Sequence, residues 1–405
     1  MTEPVGERYS VLRYRATMAV RFWLDVTFFF PLLLLAVVAR FWPKPVEIGI
    51  GPTPIINSIY HKQALAAFGH SAETFVDTLW YYSFGHDYVP TLLMHGPARA
   101  FAPYWLAART FFRYRTLYTY FDGGPLRSTC WLCFFEPVLL KMAGVKTVLL
   151  AFGADVADLT RSPDRYFVHA MAQDYPAHRF LRRRIARKID VWTNWADHIV
   201  SGVDWVWYMP YWDSLTLGHF AIDTDKVRPV AAKLAAATGP LRILHAPNHR
   251  ALKGSSFLIA AVEELIAEGF EVELKLVEKR PNAEILAAIG NADLVVDQLI
   301  IGWYAMFALE AMSMSTACIC YINPELEKLY IRAGLLSPDE IPLISATPET
   351  IKETLRQLCQ DRSKLNKAAS RGRDYVEKHH SLTAIGQLFH DIQIQLYPDA
   401  AANGS

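Results

Sequence analysis

The stretch HAPNHRALKGSS, His245 to Ser256, decides how this chain is read. LRIL precedes it and FLIAAVEELIAEGFEVELKLV follows. A strand-like run ends in a polar turn carrying Arg250, Lys253 and Gly254, then a helix starts over Ser255–Glu268 and a strand over 271–277. The same alternation continues downstream. Helices are expected over 282–289, 307–314 and 350–360, the last capped by Thr347-Pro348, with proline at its first position. Strands are expected over 292–298 and 316–322. Short apolar runs separated by helices argue a parallel sheet covered on both faces.

The pattern also holds upstream. VEIGIG (46–51) reads as a strand closing in a glycine turn, and 58–68 as a helix. SAETFV, TLYTYF, VKTVLLAF and DHIVSG read as further strands. The piece from Trp205 to Gly239 lacks the alternation and carries prolines, so the domain boundary falls there. Two doubly wound α/β halves are therefore expected, with ligands in the cleft at the strand C-termini. The divisions are 1–45, 46–215, 216–380 and 381–405.

At 405 residues, 52% hydrophobic and 20% charged, the chain can bury two cores of ordinary size. A net charge of +1 gives no electrostatic footprint for nucleic acid. The five cysteines form no regular framework, and Cys130-Trp-Leu-Cys133 reads as buried reduced thiols. No metal-ligand pattern stands out.

Between Arg21 and Arg40 lies FWLDVTFFFPLLLLAVVA, with one charge, Asp25, and one proline, Pro31. Its length is borderline for a span, which needs about 20 apolar residues. Phe22-Trp23 and Phe41-Trp42 bracket it as interfacial belts would. Arg8, Arg13, Arg15 and Arg21 precede it and would hold the N-terminus in the cytoplasm. A helix broken at Pro31 and dipping into one leaflet would keep both ends on that side. Two other runs, Ala100 to Phe121 and His178 to Lys188, mix cations with large apolar groups as surface-bound helices do. The expected location is the cytoplasmic face of the inner membrane.

Arg250, Lys253-Gly254 and the later Glu310-Ala311-Met312 resemble the nucleotide-binding half of GT-B glycosyltransferases, particularly the family 4 type. Arg371 to Ser381 is similar to the tail of that half. The resemblance implies a GT-B fold, two Rossmann-like domains facing across a cleft, with the helix after Leu382 crossing back to the first. It implies a nucleotide-sugar substrate, a UDP- or GDP-sugar, and no required cofactor or metal, because protein cations meet the leaving diphosphate. Arg250 and Lys253 are the expected phosphate ligands, and Gly254 lets backbone approach. Glu310 matches the acid that binds ribose hydroxyls. The paired acid should stand at Gly302, and its absence leaves Asp297 or Gln298 to replace it. Glu278 is expected near the nucleobase. Gly51, with Gly49 and Pro52, would bring amides to the phosphates from the other side. Asp155 and Asp122, each in a strand-end turn, are the general-base candidates.

The function expected is sugar transfer, retaining as in the resembled enzymes, to a lipid-linked or other envelope glycan at a membrane surface. The missing acid at Gly302 leaves a non-catalytic scaffold of the same fold as the alternative. A sugar-nucleotide epimerase of that architecture is a third.

Overall fold

A computed structural model describes residues 11–79, 85–229 and 239–398. Arg8, the alanine-rich piece at 231–237 and the tail from 399 lie outside the described residues.

The first half builds one six-stranded, all-parallel sheet. Its strands are β1 (Val46–Ile50), β2 (Ala72–Thr74), β3 (Tyr114–Tyr120), β4 (Lys146–Leu150), β5 (His198–Gly202) and β6 (Ser214–Thr216), in the order β2-β1-β3-β4-β5-β6. The second half builds a four-stranded parallel sheet from β7 (Leu241–His245), β8 (Val272–Leu276), β9 (Leu294–Val296) and β10 (Ala317–Ile319), ordered β10-β9-β7-β8. The central strands are buried on both faces, which is why they read as continuous apolar runs. Gly49 is required in β1, because a Cβ there would lie 2.5 Å from the Tyr114 ring. Strand β6 had no expected counterpart. It is three residues at the sheet edge, too short to show a pattern.

Fourteen described helices cover the sheets. The first-half helices are α1 (Val11–Ala39), α2 (Asn57–Ala67), α3 (Ala102–Arg113), α4 (Leu132–Met142), α5 (Arg165–Asp174) and α6 (His178–Trp195). The second half adds α7 (Arg250–Lys253), α8 (Ser255–Ala267), α9 (Asn282–Asn291), α10 (Met306–Ser313), α11 (Pro324–Arg332), α12 (Ile351–Gln360), α13 (Ser363–His380) and α14 (Leu382–Leu396). Helix α12 starts at Ile351, later than expected, and Thr347 does not cap it. The Thr350 hydroxyl instead accepts from the Thr347 N–H at 2.9 Å.

Helix α14 returns to the first half. Ile385, Phe389 and Ile392 pack with Ile48, Ile50 and Tyr118, and the Gln393 amide donates to the Tyr118 hydroxyl at 3.0 Å. Beside this return the outbound strap pairs with it, the Ile222 N–H donating to the His380 carbonyl at 2.8 Å. The two halves are thus joined by two adjacent backbone crossings.

Helix α1 corrects an expectation. It is continuous through Pro31, not broken there. Proline removes one backbone bond on the exposed side. The inner stripe keeps both halves in place, because Phe28, Phe29, Leu32 and Ala36 pack against α3 and α4. Asp25 is fully buried there. It accepts from the Tyr104 hydroxyl at 2.6 Å and from the Trp131 and Leu132 N–H groups at 2.7 and 3.1 Å. The run at Ala100–Phe121 divides accordingly. Its helix buries Tyr104, Leu106 and Phe111 under α1 and against the sheet, and from Tyr114 it is strand.

Candidate functional site

Between the two sheets lies a cavity of about 870 Å3. Its walls are the segments leaving the strand C-termini: Ile55–Asn57 after β1, Tyr120 and Asp122 after β3, Ala151–Asp155 after β4, Val203–Trp205 after β5, Ala246–His249 after β7 and Val277, Lys279 and Arg280 after β8. Parallel sheets put the free ends of their βα turns on that side.

On the second-half wall, Lys253 and Glu310 face the cavity as expected. The Lys253 ammonium donates to the Asp297 carboxylate at 2.5 Å and to the Gln298 amide oxygen at 2.8 Å. Asp297 is buried and also accepts from the Ala305 N–H at 3.3 Å. It therefore anchors Lys253 and the start of α10 and does not itself line the cavity. Glu310 sits one turn inside α10 and accepts from the Asn282 amide at 2.7 Å. Burial pushes its carboxyl up to about 7, against the Asn282 hydrogen bond, and the nearby Asp297 charge adds to the rise. Glu310 also raises Tyr60, on α2 of the other half, after burial has done most of that work.

Four expected donor ligands stand elsewhere. Arg250 and Glu278 make a two-pronged ion pair at 2.9 and 2.7 Å, off the cavity wall. They follow adjacent parallel strands, so each is the other's nearest opposite charge. Their neighbours Lys279 and Arg280 reach the cavity instead. Gly302 adopts φ +92°, and a Cβ there would lie 3.1 Å from that of Asn323. A non-glycine residue would be strained at this position, and its backbone turns toward Asn323, away from the cleft. Gly51 donates its N–H to the Tyr118 carbonyl at 3.1 Å, so that amide belongs to the sheet and not to a phosphate. Gly254 does hold the left-handed position between α7 and α8, with φ +71°. It lets the Lys253 turn pass close to Leu299. From the first half, the Asp174 carboxylate accepts from the Leu252 N–H at 2.8 Å, and Tyr175 stacks on His249. The basic turn is thus clamped across the cleft.

On the first-half wall, both general-base candidates are engaged. Asp155 accepts from the N–H groups of Phe121, Phe152 and Gly153 at 3.0–3.1 Å. Burial pushes its carboxyl up to about 7 despite those three donors. Burial alone would raise Asp122 too, but the Lys188 ammonium and then Arg127 outweigh it and hold the carboxyl well below its usual range. Arg127 also grips Asp77, closing a four-member charge cluster. Asp122 cannot take a proton without weakening its ion pairs, whereas Asp155 keeps an open lone pair on Oδ2 beside its three donors. Both read as supports for the turns that shape the wall.

Asp204 is the acid that sequence reasoning missed. It lines the cavity at the end of β5, and beyond its own backbone N–H its side chain has no hydrogen-bond partner among the described residues. Burial pushes it up to about 7. The preceding Val203 has φ +59°, a costly conformation for a β-branched residue. The Tyr330 hydroxyl, from the second half, holds that turn by donating to the Val203 carbonyl at 2.6 Å. The sequence signal was only the end of a strand at Gly202.

Among the described residues no cluster of three or more candidate ligands could hold a metal ion. All five cysteines are free thiols.

No protein-family model matches the sequence, and no curated protein matches it. Solved structures do. Sucrose-phosphate synthase from Thermosynechococcus elongatus aligns over 87% of this chain and 99% of its own, at 14% identity and TM-score 0.57. Anabaena HepE, solved in complex with UDP and glucose, aligns over 86% and 99%, at 10% identity and TM-score 0.54. A glycosyltransferase from Rickettsia africae aligns over 88% and 100%, at 11% identity and TM-score 0.50. With the two facing parallel sheets and the returning C-terminal helix, these likenesses show that the chain has the GT-B fold.

Proposed function

We propose that this chain is a glycosyltransferase that moves a sugar from a nucleoside diphosphate sugar to a lipid-linked or other glycan acceptor at a membrane surface. One observation carries the reading. Glu310, paired with Asn282, lines the cavity one turn inside α10, and Lys253 lines it beside the start of that helix. A carboxylate there suits two ribose hydroxyls, while helix N–H groups and Lys253 suit the diphosphate. The fold likeness to HepE, which was solved with UDP and glucose, supports the same ligand class.

The chemistry is displacement at the anomeric carbon. The bond from that carbon to the diphosphate breaks, and its electron pair leaves with the nucleotide. The acceptor hydroxyl forms the new bond, with retention of configuration. Its proton goes to the departing phosphate, so no protein base is required, and Asp204 positions the hydroxyl. Lys253 stabilises the charge that grows on the leaving group.

Helix α1 supports the membrane part. From Asp25 onward its inner stripe is covered by α3 and α4, while Trp23, Phe30 and Leu34 are exposed on the outside, as are Phe41 and Trp42 just past its end. A helix apolar on both sides needs a second apolar phase. Packing against α3 and α4 from Asp25 onward supports a helix lying in the plane of the interface over one crossing the bilayer. The arginines of its N-terminal turns and the thiols of the chain suit the cytoplasmic face of the inner membrane.

The test is thermal unfolding of the full chain with UDP, GDP, ADP, TDP or CMP, followed by transfer assays with sugar donors of the nucleotide that binds. A ligand at about 100 times its dissociation constant adds about 2.7 kcal/mol. A shift with one nucleotide and sugar transfer from its donors is expected. A shift without turnover would favour the scaffold reading, which the neutralised Lys253–Asp297 pair also suits. No shift with any of the five would refute nucleotide binding here.

A further inference from the structure

We propose that Arg21 on α1 and Arg184 on α6 bind the phosphate of a lipid acceptor, so that the membrane helix is itself part of the acceptor site. This rests on the transferase reading of the cleft and goes further, because it names the acceptor's charge and its route.

The inner stripe of α1 has two uses along its length. From Asp25 onward it packs against α3 and α4. Before that, Tyr14, Met18 and Arg21 follow the same helical spacing but line the cavity that holds Lys253 and Glu310. Facing them from α6 are Leu181, Arg184 and Ile185. The N-terminal half of the interfacial helix is therefore one wall of the reaction cleft, and it is mostly apolar.

The two arginines in this wall lack acidic partners. Arg21 donates to the Ser128 carbonyl. Arg184 donates to the Cys130 carbonyl at 2.8 Å, to the Thr129 carbonyl and to the Cys133 sulfur at 3.0 Å. Among the described residues neither has a carboxylate within ion-pair distance, nor does Arg99, whose charge acts on Arg21 together with that of Arg184. Asp25, one turn along α1 from Arg21, acts on it through space but makes no ion pair with it, its carboxylate oxygens accepting from three uncharged donors. The contrast with Arg127 and Lys188 on the same wall is sharp, since those two cations are balanced by Asp122 and Asp77. Two half-buried guanidiniums held by uncharged carbonyls and a thiol, with Arg99 beside them and Asp25 the one acid acting on Arg21, leave donors and net positive charge for an anion, and a phosphate accepts from both. With an apolar lane beside them that continues along α1 to the interface, the fitting ligand is a phosphate on a hydrocarbon chain. Its head would lie in the cleft with the donor site and its tail along Tyr14, Met18 and Leu181.

The experiment measures equilibrium binding of farnesyl phosphate, farnesol and inorganic phosphate to the full chain in neutral detergent. Wild type, Arg21→Gln, Arg184→Gln and the double variant are compared, with exposed Arg182→Gln/Arg183→Gln on α6 as control. Nucleotide-induced stabilisation is read in parallel. Farnesyl phosphate should bind at least about tenfold tighter than farnesol, and inorganic phosphate should bind far more weakly than either. Each cleft variant should lose about tenfold and the double about a hundredfold, with the control unchanged and nucleotide stabilisation intact. Equal binding of farnesol and farnesyl phosphate, or unchanged binding in the double variant, overturns the proposal. If a single glutamine variant fails to fold, Arg184→Lys, which keeps charge but loses the fork, should weaken binding by a smaller factor. Loss of nucleotide stabilisation in the wild type would instead strike the transferase reading.

Discussion

Glu310→Gln should make the protein more stable and worse at its work, and both effects can be sized. The carboxyl ordinarily titrates near 4.5 and is pushed up to about 7 by burial. Each tenfold change in proton affinity is about 1.4 kcal/mol. The displacement therefore corresponds to about 3 kcal/mol. The sign follows from proton binding. The folded state holds the Glu310 proton more tightly than the unfolded chain, so raising the pH from 4.5 to 7 drains stability. Above 7 the folded protein carries a buried carboxylate at that cost. Glutamine keeps the acceptor for Asn282 and removes the titration. The variant and the wild type should unfold together near pH 4.5. At pH 8 the variant should gain up to about 3 kcal/mol, or roughly 6–12 °C for a domain of this size. Asp155, Asp204 and Glu136 are also pushed up by burial, so the difference between the two proteins, not either curve alone, reads Glu310. Nucleotide binding moves the opposite way. A carboxylate accepting two ribose hydroxyls must be ionised, so wild-type affinity should rise as pH passes through 7. Glutamine should cost about 1.5–3 kcal/mol of binding. Thermal unfolding at pH 4.5, 6.5 and 8, with and without nucleotide, measures everything at once. No stability gain at pH 8 would refute the burial argument, and undiminished nucleotide stabilisation would refute the ribose contact.

Three other substitutions probe the remaining assignments. Asp204→Asn should lower kcat by no more than about tenfold under a retaining course, because the leaving phosphate takes the proton; a loss of 10²–10⁴ in a transfer assay is the size of a lost general base and would make the reaction inverting. Lys253→Met should destabilise by about 3–5 kcal/mol in urea unfolding, because it strands buried Asp297. Lys253→Met with Asp297→Asn should recover much of that stability without recovering nucleotide binding, and recovery of both would remove Lys253 from the donor site. Phe30→Glu with Leu34→Glu should abolish co-flotation with anionic vesicles while changing stability by less than about 1 kcal/mol, since both side chains are exposed; retained flotation would take α1's outer face out of the membrane contact.

The strand–turn–helix rhythm was legible because parallel strands buried on both faces leave unbroken apolar runs, as at Val145–Phe152, whose strand is β4. Glu310 was legible through the resemblance of Glu310-Ala311-Met312 to the helix start of the GT-B nucleotide-binding half, and it does line the cavity. The charge partners were not. Arg250 and Glu278 are 28 residues apart and meet only because β7 and β8 are neighbours, which no local pattern encodes. Asp155 and Asp122 looked alike in sequence, each an acid in a strand-end turn. Their fates differ through their donors: for Asp155 the amides of its own turn and of Phe121, for Asp122 the nearby Arg127 and the distant Lys188. Asp204 was hidden among aromatics in a stretch without alternation, and its exposure to the cleft depends on the strained turn at Val203.

Asp25 shows most directly how one buried group sets the reading of a whole segment. As a lone acid near the end of an apolar run, it would be tolerable at a bilayer interface. In the fold it has a different reason to exist, since it caps the start of α4 and holds Tyr104. That fixes the rotation of α1. At 100° per residue, an inward Asp25 places Leu32 and Ala36 inward and Trp23, Phe30 and Leu34 outward. It also fixes how α1 lies, because from Asp25 onward the helix is bound to α3 and α4 while its earlier turns run along the cavity. The same rotation carries Arg21, one turn before Asp25, to the cleft side. One carboxylate therefore sets both which face of α1 is left exposed and which side chains of its N-terminal half line the cavity.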